Sequence, residues 1–314
     1  MSRIVIACIA VLLAPAALAQ TGQRAASPIK WGLDFEKGVQ EAKRTKLPLM
    51  VWIVSRSDDR PEDTERDQKR AFQDAVVVEL SKRYIPVQMS RSRYKDLLTK
   101  WGLGQGANLE IVFVTPDGDK IDQLGAGGVA NASSLAQKMS LVFRKYRTEL
   151  FDKEVKPVLE NDEAKPAEIK TALAMVEKFL ITSGDQAIIH MLSRANIGDA
   201  IVSEALGVLA ALSTRAAGAE LFTRAQTDKK AADLLGKCTP AVAESLIDYL
   251  TLDDQAKMIV AYEAIGKICK IRDAKKDKFW DGKNTKLKED ELKRVADIAR
   301  RKARDWRERY EEYR

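Results

Sequence analysis

The chain has 314 residues, 53 Lys and Arg against 46 Asp and Glu, a single histidine and three cysteines. The composition is that of a globular protein, with few aromatics and many charges and with the Ala, Leu, Lys and Glu content that favours helix. One histidine excludes a His–His metal site, and the net charge of +7 is uneven, lying mostly in the carboxy-terminal residues, where opposite charges are interspersed rather than massed as in a nucleic-acid binder.

The amino terminus has the pattern of an export signal. Arg3 precedes an apolar run from Ile4 to Leu13, and Ala17-Leu18-Ala19 supplies small residues for cleavage before Gln20. The run is too short to span a bilayer, and no later window approaches eighteen apolar residues. Residues 1–19 are therefore expected to leave as a signal peptide. That places a mature, soluble chain in the periplasm or outside the cell. Cys8 departs with the signal, although Val5-Ile6-Ala7-Cys8 loosely fits a lipobox.

Residues 28–150 read as one α/β domain. Trp31, Phe35, Val39 and Ala42 fall at helical spacing. Leu47 to Val54 is a continuous apolar run, the pattern of a strand buried on both faces. A charged stretch from Arg56 to Arg70 follows, with Pro61 suited to a first helical turn. Phe72, Val76, Val77 and Leu80 continue as a helical stripe, and Tyr84 to Met89 gives a second strand. Tyr94, Leu97, Leu98 and Trp101 predict a helix stopped at Gly102. Ile111 to Val114 is a third strand. Thr115-Pro116-Asp117-Gly118 is a turn leading to a return strand over Ile121 to Leu124. A helix over Ser133 to Tyr146 closes the domain.

This order resembles the thioredoxin-like fold, and more closely the exported members of that family. The matching pieces are Trp31, Ala42-Lys43, Lys46-Leu47-Pro48, Phe72-Gln73-Asp74, Tyr84-Ile85-Pro86-Val87, Phe113-Val114-Thr115-Pro116-Asp117-Gly118 and Gly125. The resemblance covers about 115 residues. It implies a CxxC between the first buried strand and the next helix, yet that interval is Ser55-Arg56-Ser57-Asp58-Asp59-Arg60-Pro61, without sulfur. It also implies a cis-proline before the third strand. That position falls near Leu109, where no proline stands and a trans bond is expected. Both halves of a redox centre are missing. Ser55 and Ser57 lack a nearby base, so no catalytic residue is assigned and no cofactor is implied. Asp58, Asp59, Glu62 and Asp63 could gather around Ca²⁺, but Arg56, Arg60 and Arg66 neutralise them and no metal site is assigned.

After a charged segment from Lys153 to Lys165, strand signals nearly vanish. Residues 165–314 read as an all-α HEAT-like solenoid or helical bundle. Ala205-Leu206-Gly207, Leu234-Leu235-Gly236 and Ala264-Ile265-Gly266 recur at a period near thirty, each on a second helix of a pair. The glycines are expected to let neighbouring helices approach closely. Ser203 to Leu209 resembles the second helix of a HEAT-type repeat. His190 sits on a helix face. Cys238 and Cys269 are expected to be buried thiols, although an exported compartment permits a bridge. The last helix, Leu287 to Tyr310, carries an apolar stripe of Leu292, Val295, Ala299, Ala303, Trp306 and Tyr310. It is expected to cap the repeats with Trp306 buried; failing that, Trp306 and Tyr310 mark an interaction site. Residues 271–314 hold 16 Lys and Arg against 11 Asp and Glu, interspersed as on a solvated helix.

These observations predict a binding or scaffolding module for another protein, with no nucleic acid and no transmembrane segment. The rival is a thiol-disulfide oxidoreductase or redox chaperone using Cys238 and Cys269.

Overall fold

The computed structural model describes residues 29–54, 62–104, 109–194 and 197–310, and at Glu62, Asp63, Asp277 and Tyr310 the backbone alone. The expected signal peptide, the interval 55–61 and the Asp58–Asp59 pair lie outside the described residues.

Helix α1 (Phe35–Thr45) begins where the Asp34 carboxylate accepts the Lys37 N–H at 3.1 Å. Strand β1 (Leu49–Val54) follows, then α2 (Glu62–Ala71) and α3 (Ala75–Ser81). Asp74 separates these two helices by capping the Val76 and Val77 N–H groups. Next come β2 (Ile85–Ser90), α4 (Lys95–Lys100), β3 (Ile111–Val114) and β4 (Lys120–Leu124). Gly102, at φ +69°, ends the chain's fourth helix as expected. Gly118, at φ +89°, makes the turn between the last two strands. A short helix over Ala126-Gly127-Gly128-Val129, α5, was not legible in the sequence. The long α6 (Ala132–Leu150) lies behind it.

The sheet order is β2-β1-β3-β4, with β1 parallel to β2 and the other pairs antiparallel. β1 and β3 are central and apolar on both faces, which is why they read as unbroken hydrophobic runs. α1 covers one face. Gly38 permits that close approach, because a Cβ there would stand 2.5 Å from the Val87 side chain. At the outer edge, Gly32 lies against β2, donating to the Pro86 carbonyl at 3.0 Å and accepting from the Gln88 N–H at 2.7 Å.

The charged segment after α6 is not a free linker along its whole length. A single π-helical turn, Phe151–Val155, runs directly into α7 (Lys156–Leu159). Phe151, Val155 and Leu159 are buried, while residues 160–163 are exposed. The chain then continues as α8 (Pro166–Phe179), α9 (Asp185–Leu192), α10 (Asp199–Leu212), α11 (Arg215–Ala225), α12 (Lys229–Leu235), α13 (Pro240–Ser245), α14 (Gln255–Cys269), α15 (Asp277–Trp280) and α16 (Thr285–Tyr310). The molecule is thus a mixed four-stranded sheet with helices, followed by a wholly helical region.

Those helices stand in two rows. One row runs α8, α10, α12, α14, and the other α9, α11, α13, α16; each helix touches the next in its own row. Gly218 on α11 makes one such contact close, since a Cβ there would stand 2.6 Å from Val242 on α13. Of the three repeat glycines only Gly236 serves that purpose, since a Cβ there would stand 2.7 Å from Cδ and 3.0 Å from Cβ of Lys267 on α14; Gly207 faces open space and Gly266 makes an ordinary methyl contact.

The two regions meet along α6 and α8. Phe143 and Tyr146 place their rings 6.2 and 6.3 Å from Phe179. Buried Arg147 donates to the Leu180 carbonyl at 2.8 Å, and the Lys178 ammonium reaches back to the Thr45 carbonyl. One continuous buried core runs from Ile29 and Trp52 to Val295 and Ala299.

Candidate functional site

Three places bear on function: the end of the sheet where the redox pair is missing, the two thiols, and the carboxy-terminal helix.

At the end of β1 the structure is organised around one amide. Gln68, fully buried on α2, accepts from the Trp52 indole N–H at 3.0 Å. It donates to the Leu109 carbonyl at 2.6 Å and to the Ala126 carbonyl at 2.9 Å. One side chain thereby ties together β1, the approach to β3 and α5. Around it, Trp31, Trp52 and Phe72 stack with ring centres 5.0–5.6 Å apart. Leu109 adopts a left-handed φ of +55°, and no peptide bond among the described residues is cis. Next to it, burial pushes the Glu110 carboxyl above its ordinary pKa, and one of its oxygens has no hydrogen-bond partner. Sequence reasoning missed Gln68, which sits in a run of charged residues and reads as solvent-facing; only the fold reveals its partners.

Cys238 and Cys269 are both buried, and they form no disulfide with each other. Cys238 follows α12 and points its sulfur to the Leu234 carbonyl at 3.8 Å. Cys269 is the last residue of α14, and burial pushes its thiol up to about 11. A nucleophilic cysteine needs an exposed thiolate of lowered pKa. Burial shifts this one in the opposite direction.

The carboxy-terminal helix packs on α13 and α14 through Leu292, Val295, Ala296, Ala299 and Ala303, all buried. Beneath its amino-terminal half lies a polar knot. Glu291, 6% exposed, accepts from the Tyr262 hydroxyl at 2.6 Å and from Arg294 at 2.8 Å, and Arg294 also reaches Asp273 at 3.1 Å. Burial acts to raise the carboxyl of Glu291, but the Arg294 and Tyr262 hydrogen bonds outweigh it and hold the pKa below the ordinary value. Trp306 is only half-buried, not covered as the cap expectation required. Ala303 is the last fully buried position of the stripe, and around Trp306 the flanking Arg304, Glu308 and Arg309 stand exposed. Near that end, Arg307 pairs with Glu244. The Tyr310 side chain lies outside the described residues.

An open groove of about 580 Å³ is lined by Gly32, Leu33, Asp34, Lys37 and β2, and its one carboxylate is already spent on capping α1. His190 stands exposed on α9. Among the described residues no cluster of His, Cys, Asp or Glu fits a metal ion, and no helix is long and apolar enough to cross a membrane. Set against known proteins, the chain matches no family model, no curated protein and no solved structure.

Proposed function

We propose that this chain is an exported binding or scaffolding protein for another protein. It would join a redox-inactive thioredoxin-like domain, residues 28–150, to a HEAT-like helical domain, residues 165–314. The observation that carries the reading is the double row of helices, in which α9–α10, α11–α12 and α13–α14 follow one another as pairs and touch like with like. Stacked pairs offer extended surfaces, the usual means by which such arrays hold partners. The thioredoxin-like part is supported by the sheet order β2-β1-β3-β4, a parallel pair continued by an antiparallel hairpin. Its lack of redox chemistry is supported by the absence of any CxxC in the sequence.

The rival reading, an oxidoreductase using Cys238 and Cys269, is opposed by the burial of both thiols and the high pKa of Cys269. An insulin-reduction assay on the full chain separates the two. We expect no turnover above background. Turnover that disappears in Cys238→Ser would overturn the scaffold reading. Mass spectrometry of the exported form should find Gln20 at its amino terminus; a chain retaining residues 1–19 inside the cell removes export from the proposal.

A further inference from the structure

The chain's positive charge is concentrated in one short stretch. Residues 267–288 contain nine Lys and Arg against three Asp, an excess of six in a chain whose net charge is seven. This stretch forms the connection between α14 and α16, with α15 inside it. Lys270, Arg272, Lys275, Lys276, Lys278, Lys283 and Lys286 are all exposed. Among the described residues none of them has a carboxylate within ion-pairing distance. Of the acids nearby, Asp273 and Glu291 are taken by Arg294, and Asp281 stands exposed among the cations. Further along the same helix the pattern is ordinary, with Arg300 beside Asp297 and Arg294 beside Glu291.

The basic connection is also held in place. Trp280, 2% exposed, plugs into the core edge-to-face against Tyr262 with ring centres 4.8 Å apart. The Lys275 N–H donates to the Tyr262 hydroxyl oxygen at 2.6 Å, and the Lys288 ammonium donates to the Trp280 carbonyl. A solvated loop needs no such anchor. Unpaired cations held at fixed positions repel one another and form a ready site for a polyanion.

We infer that this lobe seats the protein on a bilayer surface carrying anionic headgroups. Leu287 chooses the bilayer over a polyanion in water. It is 55% exposed, directly beside Lys286, with half-buried Phe279 in the same lobe. Cations around an exposed apolar prong fit the boundary between headgroups and acyl chains. A nucleic-acid strand would instead require aromatic faces open for stacking, and here Trp280 is buried and Lys275 lies over Phe279 at 5.9 Å. This inference does not depend on the scaffold reading.

The test is flotation of the full chain with vesicles of phosphatidylglycerol and phosphatidylcholine in equal parts, against vesicles of phosphatidylcholine alone. Binding is expected on the anionic vesicles and is expected to weaken steeply in about 0.5 M salt, where the Debye length falls to a few ångströms. Each lysine near such a surface contributes about fivefold in partitioning. The triple variant Lys275→Glu/Lys276→Glu/Lys278→Glu should therefore bind at least ~10-fold more weakly. A milder Lys275→Gln/Lys276→Gln/Lys278→Gln variant covers any loss of folding in the first. Leu287→Ser should weaken binding roughly threefold. Amide exchange should slow on the vesicles within residues 270–290, a local readout that the apolar residues 4–13 cannot produce. Equal binding to neutral vesicles with no protection at 270–290 overturns the inference, as does full binding by the glutamine variant. Tight binding of soluble polyglutamate or duplex DNA with Leu287→Ser silent also overturns it, in favour of a polyanion in water.

Discussion

The sheet region and the helical region solve the same packing problem with contacts of different reach. In the first, residues distant in sequence must meet: the Gln68 side chain alone joins positions 16, 41 and 58 residues away. In the second, helices from α8 to α14 touch the next but one, and most pairs also touch in sequence order, as α9 with α10 and α11 with α12. The sheet region therefore forms only as a whole, whereas the array can lose strength at one place and keep the rest. Where the two meet, α6 and α8 lend each other apolar surface through Phe143, Tyr146 and Phe179.

The strongest way to break this arrangement is at the junction. Phe179→Ala removes a fully buried ring and should cost about 3–5 kcal/mol. Calorimetry should then resolve two transitions where the parent shows one, and protease should cut first at exposed residues 160–163 rather than at helical 151–159. A single transition of unchanged width would mean that the Phe179 ring is not what couples the regions.

Gln68→Leu comes next. It strips partners from the Trp52 indole and two buried carbonyls, at about 1–3 kcal/mol for each group left unpaired. Loss should be cooperative across the sheet region, visible in near-ultraviolet dichroism of the Trp31–Trp52–Phe72 cluster. In the array, Gly218→Val should cost about 1–3 kcal/mol by forcing α11 from α13, with exchange rising locally around α11–α13 and little change at β1. Gly207→Ala, facing open space, should be neutral or slightly stabilising by thermal melt.

The smallest effect concerns Cys269. Its folded thiol is held neutral up to about 11, above the unfolded value of about 8.5. Its contribution to stability is therefore complete below about pH 8.5 and is lost as pH rises towards 11. The fall in melting temperature across that window should be shallower in Cys269→Ala, and iodoacetamide should label the native thiol slowly at pH 8.

Central strands were the most legible elements, because β1 and β3 are buried on both faces and carry no polar residue to interrupt them. The turn at Gly118 and the stop at Gly102 were legible for a related reason, that few residues accept a positive φ. The period of about thirty in the helical region was visible, but its glycines do not act alike. Gly236 lets α12 approach α14 as the spacing implies, Gly207 and Gly266 do not, and Gly218, which brings α11 against α13, lies outside the repeat. Helix α5 was hidden by Gly127 and Gly128, residues that disfavour helix on their own and are held here by packing on α2 and α6. Trp280 and Gln68 could not be singled out beforehand. Each stands among charged residues, and only the chain's return from a distance encloses it.

The way Gly32 lies against β2 has a consequence for crowded conditions. A strand at the border of a sheet and a helix pair at the end of a stack share a hazard: each is a template on which another copy can be laid, and then another. Pro86 removes one donor from the exposed border, and Gly32 occupies the two neighbouring groups, so an incoming strand finds little to grip. The opposite border, β4, reads Lys-Ile-Asp-Gln-Leu and carries a register shift against β3, charge and irregularity serving the same end. At the far end of the helical region α16 lies on α13 and α14 and covers their apolar faces, so that end too offers less for a second copy to build on.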